Sequence, residues 1–112
     1  MNPITDDYMR EQLKTRKPYT FVILRNGPKG NELGADKLIW EHGRRNFELR
    51  RDGVLCIACM ITDDSEVAGL EIFRTDLEET RRIMEEDVAV RAGILTYEIH
   101  PVMSFPGDAL AR

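Results

Sequence analysis

The distribution of apolar and polar residues along the chain predicts four β-strands. Three segments are rich in β-branched and aromatic residues: YTFVILR (19–25), VLCIACMI (54–61) and VAGLEIF (67–73). A fourth strand is predicted in GILTYEIH (93–100), and Pro101 is expected to close it. Gly, Pro, Asp and Ser residues gather between these segments, where turns are expected.

Two segments between the strands have the periodicity of amphipathic helices. The first spans 34–51, and one stripe of it holds Ala35, Leu38, Ile39, His42, Asn46 and Leu49. The pair Asp52-Gly53 is expected to end this helix, because glycine tolerates the left-handed conformation common just past a helix. The second helix is predicted from about residue 76 to 86, with Thr75 as its cap and Glu78 completing a capping box.

The resulting order is strand, helix, strand, strand, helix, strand. It predicts an α+β fold: a ferredoxin-like β-α-β-β-α-β protomer whose four-stranded antiparallel sheet carries both helices on one face. The strand at 54–61 has no polar position, although a sheet covered on one side should alternate. The second face therefore needs a cover, and the simplest is a second copy of the chain. A homodimer through sheet packing is predicted.

Length and composition favour one soluble domain. The chain has 112 residues, enough for a single domain with a core at about 19–101. A polar extension (1–18), with a short helix in DDYMREQLK, is expected before the core, and a tail (102–112) after it. No apolar run approaches the ~20 residues of a membrane span. Because the N-terminus also lacks an apolar signal core, a cytoplasmic protein without membrane contact is expected.

Charge and cysteine content narrow the function classes. The net charge of −4 argues against a general nucleic-acid binder. Twelve Arg against four Lys favours recognition of carboxylates or phosphates, although solvated helix faces explain most of these arginines more simply. Cys56 and Cys59 have C-x-x-C spacing, but both lie in an apolar strand where positions i and i+3 face opposite sides. We interpret them as two small buried hydrophobic residues.

The string DVAVRAGILTYEIHPVMSFPGD (87–108), together with the helix WEHGRRNFELRRDG (40–53), resembles the YCII-related (YciI-like) proteins. The likeness extends from about Tyr19 to Asp108. It implies a dimeric α+β barrel with a ferredoxin-like protomer. Where this family has an assigned activity, it is dehydrochlorinase-like elimination on a hydroxylated ring.

The resemblance also implies a His–Asp pair, which falls on His42 and Asp52. Such a pair holds an imidazole near neutral pH, where acid/base catalysis works best. Ten residues of continuous helix span ~15 Å, so the chain must turn back before Asp52 for the two to meet. The structural alternative is a core histidine and a turn aspartate. The family usually has proline where this chain has Val88. Proline would stop the second helix, so without it the residue at which that helix ends is not predicted.

Four further residues are candidates for substrate binding. Glu71 and Glu98 are acidic residues in apolar strands, and burying either requires a cationic partner, for which Arg25 is suggested. They could line a ligand cavity or form a structural ion pair. His100 ends the fourth predicted strand and could be only a strand-end residue. The sequence offers no metal cluster, no phosphate loop and no nucleophile arrangement, and neither metal nor cofactor is expected.

Two functions remain open at this point. One is a small cofactor-free enzyme of lyase or isomerase type that transfers protons with a His–Asp pair on a small hydroxylated or anionic organic molecule. The other is a non-catalytic dimeric module for small-molecule binding or protein interaction. The same scaffold hosts unrelated functions, so the fold does not decide between them.

Overall fold

A computed structural model describes residues 2–112 of the chain. The helices are α1 (Asp6–Leu13), α2 (Ala35–Arg51), α3 (Leu77–Glu85) and the single turn α4 (Val88–Arg91). The strands are β1 (Lys17–Asn26), β2 (Leu55–Met60), β3 (Val67–Phe73) and β4 (Leu95–Ser104).

The four strands form one sheet in the order β2-β3-β1-β4, and every neighbouring pair is antiparallel. This confirms the predicted ferredoxin-like α+β arrangement. One sheet face packs against the helices, because alternate strand residues join helix residues in a single core. That core comprises Val22, Leu24, Ala35, Leu55, Phe73, Ile83, Met84, Ala89, Ile94 and Leu95.

The opposite face of the sheet, which we call the open sheet face, carries Phe21 and Ile23 from β1 and Leu70 and Ile72 from β3. Phe21 lies opposite Ile72, and Ile23 opposite Leu70. All four are half-buried, and none belongs to the core that packs against the helices. The strand alternation therefore leaves a band of large apolar side chains on the side away from the helices.

Strand β2 is less buried than its sequence predicts. Among its six residues only Leu55 is buried, and both Cys56 and Cys59 are exposed free cysteines. The prediction of two buried hydrophobic residues is therefore wrong for the single chain. The reason is position: β2 is an edge strand with one sheet neighbour, and its register against β3 shifts between Leu55 and Ile57.

Strand β4 is longer than predicted, because Pro101 does not close it. The strand continues to Ser104, which lies opposite Lys17 at the start of β1, while Pro101 lies opposite Thr20. Proline is tolerated here because β4 is an edge strand, where a missing N–H can face solvent. The sheet therefore extends beyond the predicted core limits of 19 and 101.

The helix ends also differ in detail. Asp76, one residue after the predicted cap, accepts a hydrogen bond from the Glu79 backbone N–H at 2.8 Å and caps α3. Helix α3 ends at Glu85, close to the predicted limit of 86, and the chain then forms the separate turn α4. Asp87 caps α4 by accepting from the Ala89 N–H at 2.9 Å, and this fixes its backbone beside α2.

The predicted N-terminal helix is present as α1, and every residue of it is exposed. Within residues 2–112, no helix is both long enough and apolar enough to cross a bilayer.

Candidate functional site

His42 and Asp87 form a buried pair between α2 and the start of α4. The His42 side chain is 11% exposed and that of Asp87 is 3% exposed. Nδ1 of His42 lies 2.6 Å from Oδ2 of Asp87. Because an ionised carboxylate can only accept, Nδ1 carries the proton and donates it. The other carboxylate oxygen receives the Ala89 N–H, so Asp87 is held at both oxygens.

Asn46 extends the pair to the sheet. It lies one turn after His42 on the same stripe of α2, and its Nδ2 is 3.4 Å from Nε2 of His42. The same Nδ2 donates to Oε2 of Glu71 at 2.7 Å. Glu71 is on β3, faces the helices and is 2% exposed. Four side chains from three elements thus form a continuous buried polar cluster: Asp87, His42, Asn46 and Glu71.

Arg45 brings a positive charge to the edge of this cluster. Its Nη1 donates to the Ile83 carbonyl oxygen at 2.6 Å and lies 3.9 Å from Oδ2 of Asp87. Its Nη2 is 3.6 Å from Oε2 of Glu86. Arg45 therefore ties α2 to the end of α3 and partly balances the charge of Asp87.

The environment raises the pKa of His42 above its ordinary value. Burial lowers the pKa of His42, and the positive charge of Arg45 lowers it too, but the hydrogen bond and negative charge of Asp87 raise it by more, together with Glu71 to the extent that Glu71 is ionised. For Asp87, burial raises the pKa. The hydrogen bond and positive charge of His42, with backbone N–H groups, lower the pKa by more, so that it lies below the usual range. The pair thus stabilises an ionised Asp87 and a basic imidazole.

Glu71 shifts in the opposite direction from Asp87. Burial raises the pKa of Glu71, and this effect exceeds the lowering by His42, Asn46 and Arg45. The cluster therefore contains two carboxyl groups whose environments push their pKa values apart. Such a difference is typical of acid/base sites, in which one carboxyl stays ionised and another keeps its proton.

The predicted pair of His42 with Asp52 does not form. Helix α2 is continuous to Arg51, so Asp52 lies at its far end, ten residues and ~15 Å from His42. There Asp52 caps the helix and accepts from Nε of Arg51 at 3.0 Å, and its side chain is 56% exposed. The partner of His42 is instead Asp87, 45 residues away along the chain.

Sequence reasoning missed two residues of the cluster, Asp87 and Asn46, and also Arg45 at its edge. The sequence contained a signal for Asp87, because this residue opens the string that resembles the YCII-related proteins. It also stands two residues before Ala89, the spacing at which an aspartate that caps a helix accepts a backbone N–H. Asn46 was already on the predicted stripe with His42. Nothing in the pattern singles out Arg45 among the twelve arginines.

Replacing Asp52 with alanine tests whether His42 is paired with Asp52 or with Asp87. We expect Asp52→Ala to leave the titration midpoint of His42 unchanged, because Asp52 contacts only Arg51 at the exposed end of α2. The loss of stability should stay within about 0.5 kcal/mol, as for other surface changes. Proton NMR of the His42 ring as a function of pH is the measurement. A change in the His42 titration midpoint would show that Asp52 is a partner of His42.

The remaining predicted residues do not join this cluster. Arg25 hydrogen-bonds Glu98, and Nε2 of His100 lies 2.5 Å from the other Glu98 oxygen. These contacts with His100 and Arg25 lower the pKa of Glu98. The three side chains lie on the open sheet face, since Glu98 is opposite Ile23 and His100 opposite Phe21. Arg25 as the partner of Glu98 is confirmed, and Arg25 as a partner of Glu71 is wrong.

A shallow groove of about 370 Å³ runs beside the buried cluster. It is lined by Glu41, Arg45, Glu48, Leu49, Asp52 and Val88. Arg45 and Val88 are the direct neighbours of Asp87, by contact and by sequence, so the groove reaches the outer side of the pair. His42 does not line it. Within residues 2–112, no three His, Cys, Asp or Glu side chains are grouped as metal ligands.

The sheet and the buried pair define a small ferredoxin-like α+β protein whose helix α2 places a histidine against a buried aspartate. No protein-family model matches the chain, and no curated protein matches it. Among solved structures, the chain is similar to the 5-chloro-2-hydroxyhydroquinone dehydrochlorinase TftG from Burkholderia phenoliruptrix AC1100, in complex with 2,5-dihydroxybenzoquinone. The identity is 16%, the match covers 72% of this chain and 90% of that one, and the TM-score is 0.48. The fold assigned above rests on the strand order and register.

Proposed function

We propose that the protein is a small cofactor-free enzyme that transfers protons with His42 as general acid/base and Asp87 as its orienting partner. The supporting observation is the 2.6 Å contact between Nδ1 of His42 and Oδ2 of Asp87. It fixes the tautomer, so that Nε2 is the nitrogen that accepts a proton from a substrate and returns it. An elimination or an isomerisation requires this and no nucleophile.

The charges that line the groove indicate which class of substrate could bind there. Three of its six lining side chains are carboxylates, those of Glu41, Glu48 and Asp52, and its one cation, Arg45, already contacts Ile83 and Asp87. An anionic ligand would be repelled there, whereas hydroxyl groups could donate to the carboxylates. Of the two substrate classes considered from the sequence, we therefore propose a small hydroxylated organic molecule.

A non-catalytic binding module is the second candidate. The observation that favours it is that His42 is 11% exposed and lies outside the groove, so a ligand in the groove would not touch Nε2 in this conformation. In that case the cluster of Asp87, His42 and Asn46 stabilises the junction of α2 and α4. The groove would then bind its ligand without chemistry.

His42→Gln distinguishes the two functions. Glutamine keeps a polar side chain of similar length but cannot exchange a proton near neutral pH. In a thermal-shift screen of hydroxylated small molecules, we expect some compounds to raise the melting temperature of the wild-type protein and so to be identified as ligands. His42→Gln should then lose turnover of such a ligand by roughly 100-fold or more, the usual contribution of a positioned acid/base group.

The matched control is Lys37→Ala, at an exposed position of the same helix that lies outside the groove and makes no side-chain hydrogen bond or ion pair among residues 2–112. It should bind and turn over the ligand like wild type. If His42→Gln binds the ligand with wild-type affinity and no turnover is found for any variant, the binding-module function is the correct one.

We also propose a homodimer that buries the open sheet face, membership of the YCII-related family, and a cytoplasmic location. The dimer would cover Phe21, Ile23, Leu70 and Ile72, which are half-buried in the single chain. Free cysteines at exposed positions are typical of a reducing compartment, which supports the location.

A further inference from the structure

Glu71 stands out because it is a buried carboxyl group with one oxygen unused. It lies on β3 between Val22 of β1 and Ala58 of β2, and it is 2% exposed. Its Oε2 accepts from Asn46, but Oε1 has no hydrogen-bond partner among residues 2–112. A buried ionised carboxylate with an empty oxygen is costly, since it loses water and gains one hydrogen bond.

The charges that face Glu71 do not compensate an ionised carboxylate. From α2 it faces His42, Asn46 and Arg45, and from the start of α4 it faces Asp87. The charge of Arg45 is already shared between the ionised Asp87, at 3.9 Å, and Glu86, at 3.6 Å. If His42 is neutral, as the donor position at Nδ1 allows, an ionised Glu71 would leave one unbalanced negative charge in the interior.

We propose that Glu71 is kept as a neutral carboxylic acid, protonated on Oε1, and that through Asn46 it is a positioning residue that keeps Nε2 of His42 free of a proton. This inference deepens the proposed function and, as regards catalysis, rests on it. The two carboxyl groups have different roles. Asp87 accepts the hydrogen bond from Nδ1 of His42, and Glu71 determines, through Asn46, whether Nε2 carries a proton.

The geometry of Asn46 supplies the link. With its amide nitrogen toward both neighbours, Asn46 donates to Oε2 of Glu71 at 2.7 Å and points toward Nε2 of His42 at 3.4 Å. Placing a proton on Nε2 would set an N–H against this amide N–H. Turning the amide over would present its oxygen to both neighbours instead, which is favourable only if Glu71 also donates a proton from Oε2. A proton on Oε1 of Glu71 leaves this arrangement intact, and although its O–H has no acceptor among residues 2–112, a neutral acid costs less to bury than a carboxylate.

The protonation state of Glu71 can be measured in the full-length wild-type chain. In protein labelled with ¹³C at the glutamate carboxyl carbons, we expect one resonance, that of Glu71, to keep the shift of a neutral acid at neutral pH, apart from the resonances of the exposed glutamates. In ¹⁵N-histidine-labelled protein, the neutral form of His42 should carry its proton on Nδ1 and leave Nε2 unprotonated. These readouts involve no ligand and no turnover, so they can fail while the proposed function stands, and the reverse.

Glu71→Gln supplies the decisive comparison, because glutamine mimics the neutral acid. We expect the titration midpoint of His42 to be the same in Glu71→Gln as in wild type. If Glu71 is ionised instead, removing its charge will lower the His42 midpoint by about one pH unit or more, and the inference is overturned. The matched variant Glu48→Gln, on the solvent side of α2, should shift neither resonance. A wild-type Glu71 carboxyl that titrates with the surface glutamates would overturn the inference even if the glutamine variant failed to fold.

Discussion

Replacing Asp87 with alanine is expected to lower the free energy of unfolding at neutral pH by about 3–5 kcal/mol, the typical effect of removing one member of a buried ion pair. The substitution leaves the buried imidazole of His42 without its partner at 2.6 Å and removes the neutralising contact of Arg45. It also removes the cap of α4, which contributes about 1 kcal/mol. Urea denaturation followed by circular dichroism measures the loss.

Asp87→Asn separates the charge of Asp87 from its cap. Asparagine caps helices as well as aspartate does, so the bond from the Ala89 N–H should survive while the charge opposite His42 is lost. We therefore expect Asp87→Asn to be less destabilising than Asp87→Ala and to lower the titration midpoint of His42 below that of wild type. Equal stability of wild type and Asp87→Asn at every pH would show that the pair contributes nothing to folding.

The sign of the pH dependence follows from the two shifts. The pKa of Asp87 is lowered, so its contribution to stability is present above the ordinary aspartate value of about 3.9 and is lost as the pH falls through the folded value. The pKa of His42 is raised, so its contribution is complete below about 6.5 and is lost as the pH rises through the folded value. The stability difference between wild type and Asp87→Asn should be largest between these limits and should narrow in alkaline solution.

The contrast between Asp52 and Asp87 explains why the fold could be predicted from the sequence more fully than the site. Strand and helix periods are local, so the four strands, the helix carrying His42 and the side of that helix facing the sheet followed from the pattern alone. A side-chain pair between α2 and α4 depends on how two elements pack, and 45 residues separate its members. The resemblance to the YCII-related proteins placed the pair on Asp52, whereas packing brings Asp87 to His42.

The errors in the strands have a similar cause. The apolar segment VLCIACMI predicts burial of Cys56 and Cys59, yet β2 lies at the sheet edge, and strand order is a property of the whole topology. Pro101 predicts the end of β4, but an edge position removes the penalty for its missing N–H. All three residues were interpreted by local rules that hold for a central strand.

The open sheet face carries the other large expected effect. We expect the wild-type chain to sediment as a dimer at micromolar concentration, and Ile72→Asp to weaken the dimer by roughly thirtyfold or more, since a carboxylate in the centre of an apolar interface costs at least ~2 kcal/mol. Ile72 lies between Phe21 and Ile57 at the middle of that face. It is only half-buried in the single chain and outside the core, so the protomer should keep its fold.

Phe47→Asp is the matched control, because Phe47 is an equally apolar residue, 67% exposed, on the solvent side of α2. It should leave the sedimentation coefficient unchanged. A wild-type chain that sediments as a compact monomer, or a dimer broken by Phe47→Asp and not by Ile72→Asp, would contradict sheet-against-sheet packing. Since the cluster of His42 and Asp87 lies on the helix side of the sheet, Ile72→Asp should also leave the His42 midpoint unchanged, which tests whether the buried pair is complete within one protomer.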